Sequence, residues 1–370
     1  MHAALDLAIR PLLVSGAPGA PAGRAGRLAA IDIGSNSIHM IVVEPASDGT
    51  YRTLGREREM VRLGRSALGQ GALSPDAMRD GIDALVKMVA LASLKGADRV
   101  VAVATCAVRE AENGAEFLAR VRAQTGLDVQ LLSGEEEGAL IYRAVREVVD
   151  FGIERAAVVD LGGGSTEWVS IDGGKVTTIA SLPLGSLRCA GDLAGDPPSA
   201  RAIERLRRAI RAELTQALPP LEETKSDKGK RVRAGVRDGA ISRLIATSGT
   251  AIACADLIDG RAAASDGAGN VGLREVRTAD LSALVARLAR LKRREMAALP
   301  TVGGPRSESL LAGALLLLEL VQHAKVERFW VSDRALREGL VLAAVGRGLG
   351  ETSARDDPRR RQVLQIGRAH

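Results

Sequence analysis

Aromatic residues make up only 2% of this 370-residue chain. Two Trp, two Tyr and three Phe cannot fill an interior, so Ala, Leu and Val must do so. Cysteine is also scarce. Cys106, Cys189 and Cys254 stand far apart with no metal-ligand spacing, which is the pattern of reduced thiols in a cytosolic protein. No long apolar run is present. Ala312–Val321 is the most apolar stretch, but Glu319 interrupts it and it is too short to span a bilayer. Asp6 and Arg10 spoil a secretory leader. A cytoplasmic protein without a membrane segment is expected.

The composition, 46% apolar and 26% charged, is that of a soluble globular protein, and the length suggests two domains. The net charge of +6 favours acidic partners, although charge alone does not separate nucleic acid from polyphosphate or nucleotide. Along the chain, residues 1–27 read as a loose extension rich in Ala, Gly and Pro. From Leu28 to about Phe151, strands alternate with helices. A strand at 99–104 precedes a helix near 115–124, and a strand at 129–132 precedes a helix running to Val149. A second α/β unit follows over 152–348, with a basic helix at 200–217 carrying Arg201, Arg205, Arg208 and Arg211 on one side. That side reads either as a solvated face or as a guide for a polyanion. Residues 222–239 look like an exposed insertion, and 349–370 like a disordered basic tail.

Two segments repeat one design. Ala30-Ile31-Asp32-Ile33-Gly34-Ser35-Asn36-Ser37 and Val158-Val159-Asp160-Leu161-Gly162-Gly163-Gly164-Ser165-Thr166-Glu167 each run from an apolar strand into an acid, a glycine turn and a second strand. Each predicts a hairpin whose tip offers N–H groups and hydroxyls to an anion. Asp32, Asp160 and Glu167 are oxygen donors of the kind magnesium prefers. Two such tips facing each other would form a phosphate clamp.

The stretch Ser133-Gly134-Glu135-Glu136-Glu137 opens a helix, with Ser133 and Glu136 fitting a capping box. Glu137 is different, because it precedes Leu140, Ile141, Ala144 and Val148 on the apolar stripe. A carboxylate there faces either a structural ion pair or a cleft, where it would serve as the base for an attacking water. Arg109 follows a strand end and reads as a phosphate contact or a partner of Glu112. Ser248-Gly249-Thr250 follows another strand and reads as a third anion contact or an ordinary helix start.

With these residues laid out, the chain resembles the exopolyphosphatase and guanosine pentaphosphate phosphohydrolase family over about Leu28 to Gly348. The landmarks, in order, are Asp32–Ser37, Ala104–Arg109, Ser133–Glu137, Asp160–Glu167, Ser248–Thr250 and Ser332–Gly339. The resemblance implies two actin-like, ribonuclease-H-like α/β domains of the sugar-kinase and actin ATPase superfamily, with the site in the cleft between them. It implies Glu137 as catalytic glutamate, Asp160 and Glu167 as metal-associated acids, and Arg109 as a phosphate-contacting arginine. The hairpin tips and the later turn offer phosphate contacts from Gly34, Ser35, Asn36, Ser37, Gly162, Gly163, Gly164, Ser165, Thr166, Ser248 and Gly249, and the resemblance adds Arg306. Around Arg306, Pro305-Arg306-Ser307-Glu308 departs from the family's acid-Arg-small-Asp pattern. No His-Asp pair follows residue 339, so the chain looks like the short, two-domain form.

The expected activity is removal of the terminal phosphate of inorganic polyphosphate, with guanosine pentaphosphate as the alternative substrate. Magnesium or manganese is the expected metal, potassium or a similar monovalent ion an expected stimulant, and a homodimer the expected assembly. Neither nucleic acid nor membrane is an expected partner. A kinase of the same fold and a non-catalytic polyphosphate sensor are the competing classes.

Overall fold

The computed structural model describes residues 10–16, 26–47, 50–218, 241–260, 272–300 and 302–346. The expected insertion at 222–239 and the basic tail at 349–370 lie outside the described residues.

Two six-stranded sheets carry the fold. The first is built from β1 (Val14–Gly16), β2 (Arg27–Ile33), β3 (Ile38–Pro45), β4 (Tyr51–Glu59), β5 (Ala97–Ala104) and β6 (Val129–Leu131), in the order β1-β5-β2-β3-β4, with β6 also on β5. The second is built from β7 (Arg155–Leu161), β8 (Thr166–Asp172), β9 (Lys175–Leu182), β10 (Arg243–Thr247), β11 (Arg274–Arg277) and β12 (Arg328–Ser332), in the order β11-β12-β10-β7-β8-β9. Each sheet joins an antiparallel meander, β2-β3-β4 or β7-β8-β9, to parallel strands beside its first member. The repeat seen in the two motifs therefore extends to whole sheets.

Alternation along the strands explains the layering. On β2, Ala29, Ile31 and Ile33 face an outer layer with Met78, Ile82 and Leu85 of the Pro75–Leu94 helix and Phe117 and Val121 of the Gly114–Thr125 helix. On β7, Ala157, Val159 and Leu161 face another outer layer, with Leu206, Ile210 and Leu214 of the Ala200–Ala217 helix and the Leu310–His323 helix. The remaining parity, Leu28 and Ala30 on β2 and Ala156 and Val158 on β7, faces inward on one shared core. Two helices fill that core. The Gly134–Val145 helix contributes Leu140, Ile141 and Val145, and the Leu336–Gly346 helix contributes Leu340 and Val341. Strands buried on both faces read as near-continuous apolar runs, as these do.

The two inner helices cross in direct backbone contact. A β-carbon on Gly339 would lie 2.1 Å from the Leu140 carbonyl oxygen, so only glycine allows this approach. The Leu336–Gly346 helix thus packs on the Gly134–Val145 helix, β2 and β3, although it lies some 300 residues further along the chain than these strands.

The expectation of a loose extension over 1–27 is corrected for residues 10–16. β1 pairs antiparallel with β5, Val14 opposite Val101, because β5 has an open edge beside the short β6. Arg10 donates to both carboxylate oxygens of Glu136, at 2.5 and 2.7 Å, and to the Leu131 carbonyl at 2.8 Å. On the basic helix, Ser199 caps the first turn, and Arg207 and Arg211 reach the buried Glu319. Arg201, Arg205 and Arg208 are exposed. No helix among the described residues is long and apolar enough to cross a membrane.

Candidate active site

The two hairpins have matching tips. Gly34 N–H donates to the Ser37 carbonyl at 3.2 Å, and Gly162 N–H to the Ser165 carbonyl at 2.9 Å. The tips touch. A β-carbon on Gly163 would lie 3.0 Å from Ser35 Cβ and 3.4 Å from the Asn36 nitrogen, and one on Gly164 would lie 3.0 Å from Ser35 Oγ. Glycines 163 and 164 therefore let two backbone turns approach with their amides close together, the arrangement from which an anion nest is made.

Below the tips, the inward strand faces end in polar rows. Asp32 on β2 stands opposite His39 on β3, which stands opposite Arg58 on β4. In the second sheet Glu167 on β8 stands opposite Asp160 on β7, which stands opposite Thr247 on β10. These residues share strand parity with the inner core, so both rows look into the space between the sheets. Thr247 Oγ1 donates to Asp160, and Ser181 Oγ donates to Glu167 at 2.9 Å.

The first turns of the two inner helices meet these rows. Ser133 and Glu136 form the expected capping box: Ser133 Oγ accepts from Glu136 N–H, and the Glu136 carboxylate accepts from Ser133 N–H at 2.9 Å. Such a cap is worth about 1 kcal/mol and fixes where the helix begins. It sets Glu137 one residue further round, buried, with Arg109 donating to its carboxylate. Arg109 also donates to the Leu132 carbonyl at 2.8 Å, so its partner is Glu137 and not Glu112. Arg337, in the first turn of the other inner helix, lies 2.6 Å from His39 Nδ1.

The electrostatics follow from four carboxyls gathered in a water-poor space. Burial, reinforced by Asp160 and opposed by Arg337, pushes Asp32 up to about 7. Burial, with Asp160 adding, brings Glu167 to about 7 against the hydrogen bonds from Ser165 and Ser181. Burial also raises Asp160, opposed by Thr247 and Arg337. Glu137 is raised well above the usual range by burial and by Glu167, while Arg109 pulls the other way. Crowded, desolvated acids of this kind mark a functional site more often than a structural one.

The remaining expected residues sort as follows. Gly34, Ser35, Asn36, Ser37, Gly162, Gly163, Gly164 and Ser165 are brought together at the touching tips. Thr166 belongs to the same turn, but its hydroxyl is taken by the Leu184 carbonyl at 2.6 Å, which leaves it no hydrogen for a phosphate. Ser248 caps the Gly249–Asp259 helix, accepting from Ala251 N–H at 3.0 Å, with φ of +135°. Arg306 stands beside it, its Nη2 lying 3.1 Å from where a Gly249 β-carbon would be. Its charge is felt at His39, and burial lowers its own pKa.

Four participants escape sequence reasoning: His39, Arg337, Thr247 and Arg188. Arg188 Nε donates to the Gly164 carbonyl at 2.9 Å and its Nη2 to Glu110 at 2.6 Å, which braces the second tip from outside. His39 had a signal, two residues beyond Ser37 on the same strand face; Arg188 had none.

The profile of the Ppx/GppA phosphatase family matches residues 41–347. The chain is 32% identical over 317 residues to exopolyphosphatase 1 of Mycobacterium tuberculosis, covering 85% of this chain and 87% of that protein. It is 31% identical over 336 residues to the Mycobacterium leprae protein of the same name, covering 89% and 94%. Among solved structures, the Aquifex aeolicus member of the Ppx/GppA family superposes with a TM-score of 0.69 at 26% identity, covering 88% of this chain and 99% of that one. An exopolyphosphatase from Cytophaga hutchinsonii shares the fold at a TM-score of 0.75 and 23% identity, covering 88% and 100%. The chain belongs to the Ppx/GppA phosphatase family, with the actin-like α/β fold and the hydrolase class that membership carries.

Proposed function

We propose that the protein is an exopolyphosphatase, cleaving the terminal phosphoanhydride of inorganic polyphosphate to release orthophosphate and a chain one unit shorter. The observation that carries this reading is the contact between the two glycine turns above a cluster holding Asp32, Glu137, Asp160 and Glu167. The names of the mycobacterial relatives support it.

In this reading the amides of Ser35–Ser37 and Gly163–Ser165 donate to the non-bridging oxygens of the terminal phosphate. Glu137 takes a proton from the attacking water, which adds to phosphorus in line with the departing anhydride oxygen. A carboxylate whose pKa burial has raised takes up a proton more readily than an ordinary one. Arg109 holds Glu137 in place and offers positive charge as electron density shifts to the phosphoryl group.

The donor set bears on the metal. Asp32 Oδ1 is buried without a hydrogen-bond partner, and the neighbouring acids offer only oxygen. Among the described residues no three of His, Cys, Asp and Glu are grouped closely enough to hold an ion alone. That fits magnesium, which keeps waters and binds through one or two carboxylates plus substrate phosphate, better than a closed protein cage. One or two of Asp160, Glu167 and Asp32 would hold it, and it would supply positive charge to the transferred group.

Orthophosphate release measured side by side on long-chain polyphosphate and guanosine pentaphosphate tests the reading. Faster release from polyphosphate, with chains shortened from the end, is expected. Release from the nucleotide alone, or from neither, overturns it.

A further inference from the structure

Three side chains from opposite ends of the chain stand in a hydrogen-bonded line beneath the first glycine turn. Arg337 Nη1 is 2.6 Å from His39 Nδ1, and His39 Nε2 is 2.7 Å from Ser37 Oγ. A guanidinium has five hydrogens to donate and nothing to accept with. His39 Nδ1 must therefore be the bare, accepting nitrogen, and the single ring hydrogen must sit on Nε2. That hydrogen is donated to Ser37 Oγ. Ser37 has thereby received its hydrogen bond, and its own hydrogen is directed elsewhere. Among the described residues no protein oxygen takes it.

From this geometry we infer that His39 and Arg337 are positioning residues that fix Ser37 as a hydrogen-bond donor to the phosphate. The serine hydroxyl is otherwise an ambiguous rotor, able to donate or accept. With one of its two lone pairs engaged by the imidazole N–H, the hydroxyl turns its own hydrogen away from the ring, which suits the acceptor-only oxygen of a fully ionised phosphate. The surroundings agree. Arg58 stands opposite His39 on β4, and the ring is held neutral by burial and by the charges of Arg337, Arg58, Arg306 and Arg56. Arg337 in turn is held in the acid cluster, where its charge acts on Asp32 and Asp160. One arginine thus both offsets the acids and sets the tautomer.

The inference rests on the phosphatase reading, and a double-mutant cycle separates the two. Ser37→Ala and His39→Phe are each expected to lower kcat/KM for polyphosphate by about tenfold or more, the worth of a hydrogen bond to a charged group. The double variant is expected to lose no more than the worse of the two singles, because His39 acts only through Ser37. His39→Gln, whose carbonyl accepts from Arg337 while its amide donates to Ser37, is expected to recover most of the loss. Effects that multiply in the double variant overturn the inference, as does His39→Gln falling as far as His39→Phe. If His39→Phe does not fold, the comparison of Ser37→Ala with and without His39→Gln decides the matter: His39→Gln is expected to change nothing further on the Ser37→Ala background, and a further loss overturns the inference. A wild-type protein that releases no orthophosphate sinks the phosphatase reading itself. An active enzyme lacking the coupling sinks only this inference.

Discussion

Arg109 and Glu137 are paired, the guanidinium donating to the carboxylate and, at 2.8 Å, to the Leu132 carbonyl one residue before the helix cap. The arginine is thus held by the same turn that positions its partner. Two opposing influences meet on Glu137: burial and Glu167 push its pKa up, and Arg109 draws it down.

Glu137→Gln keeps the shape and the acceptor for Arg109 but removes the base. Orthophosphate release from polyphosphate is expected to fall at least about 100-fold in kcat, the usual share of a general base, while KM stays within about threefold. Turnover near that of the wild type would remove Glu137 from the chemistry.

Arg109→Ala removes the group that opposes burial, so the Glu137 pKa rises further. The base must be ionised to act. The acid limb of the kcat/KM profile is therefore expected to move to higher pH, along with a lower maximum. A limb left in place would mean that another group controls it.

Asp32 gives a stability prediction with a definite sign. Its folded pKa of about 7 lies above that of an unfolded chain. Between about pH 4 and pH 7 the folded protein therefore holds a proton that the unfolded chain has lost, and stability falls as pH rises through that window. Asp32→Asn removes this cost. In metal-free buffer the variant's advantage over the wild type is expected to grow by roughly 3 kcal/mol from pH 5 to pH 8. Urea unfolding at both pH values checks it, and subtracting the wild type cancels the opposite trend of the buried His39. An equal difference at the two pH values would place Asp32 in contact with water.

Gly339→Ala inserts a methyl group 2.1 Å from the Leu140 carbonyl oxygen. Backbone cannot step aside as a side-chain tip can, so a loss of about 2 kcal/mol or more is expected, read as a lower Tm. Activity should fall as well, since the same crossing sets Glu137 relative to Arg337. A variant as stable as the wild type would mean that the helices separate freely.

Much of this was legible in the residues, and the rest was hidden for physical reasons. The doubled strand-acid-glycine pattern gave both hairpins because a period of two and a glycine turn are local signals. The capping box gave the helix start, and arginines at helical spacing gave the basic helix at 200–217. Partners far apart in sequence were not legible. Nothing near Arg109 announces Glu137, 28 residues on, and nothing near His39 announces Arg337, 298 residues on. β1 was read as loose because three paired residues leave no periodicity, and only the open edge of β5 gives them a place. Thr166 looked like a phosphate ligand because a hydroxyl in a glycine turn carries no mark of the carbonyl that will claim it.

The Leu336–Gly346 helix has a consequence for how the molecule is made. It supplies Leu340 and Val341 to the interior beneath β2 and β3, yet it is synthesised some 300 residues after them. These strands must leave the ribosome with one wall missing, and they wait for that helix before the wall can close. Truncation ahead of residue 336 would strip both halves of a common buttress, so neither is expected to mature alone.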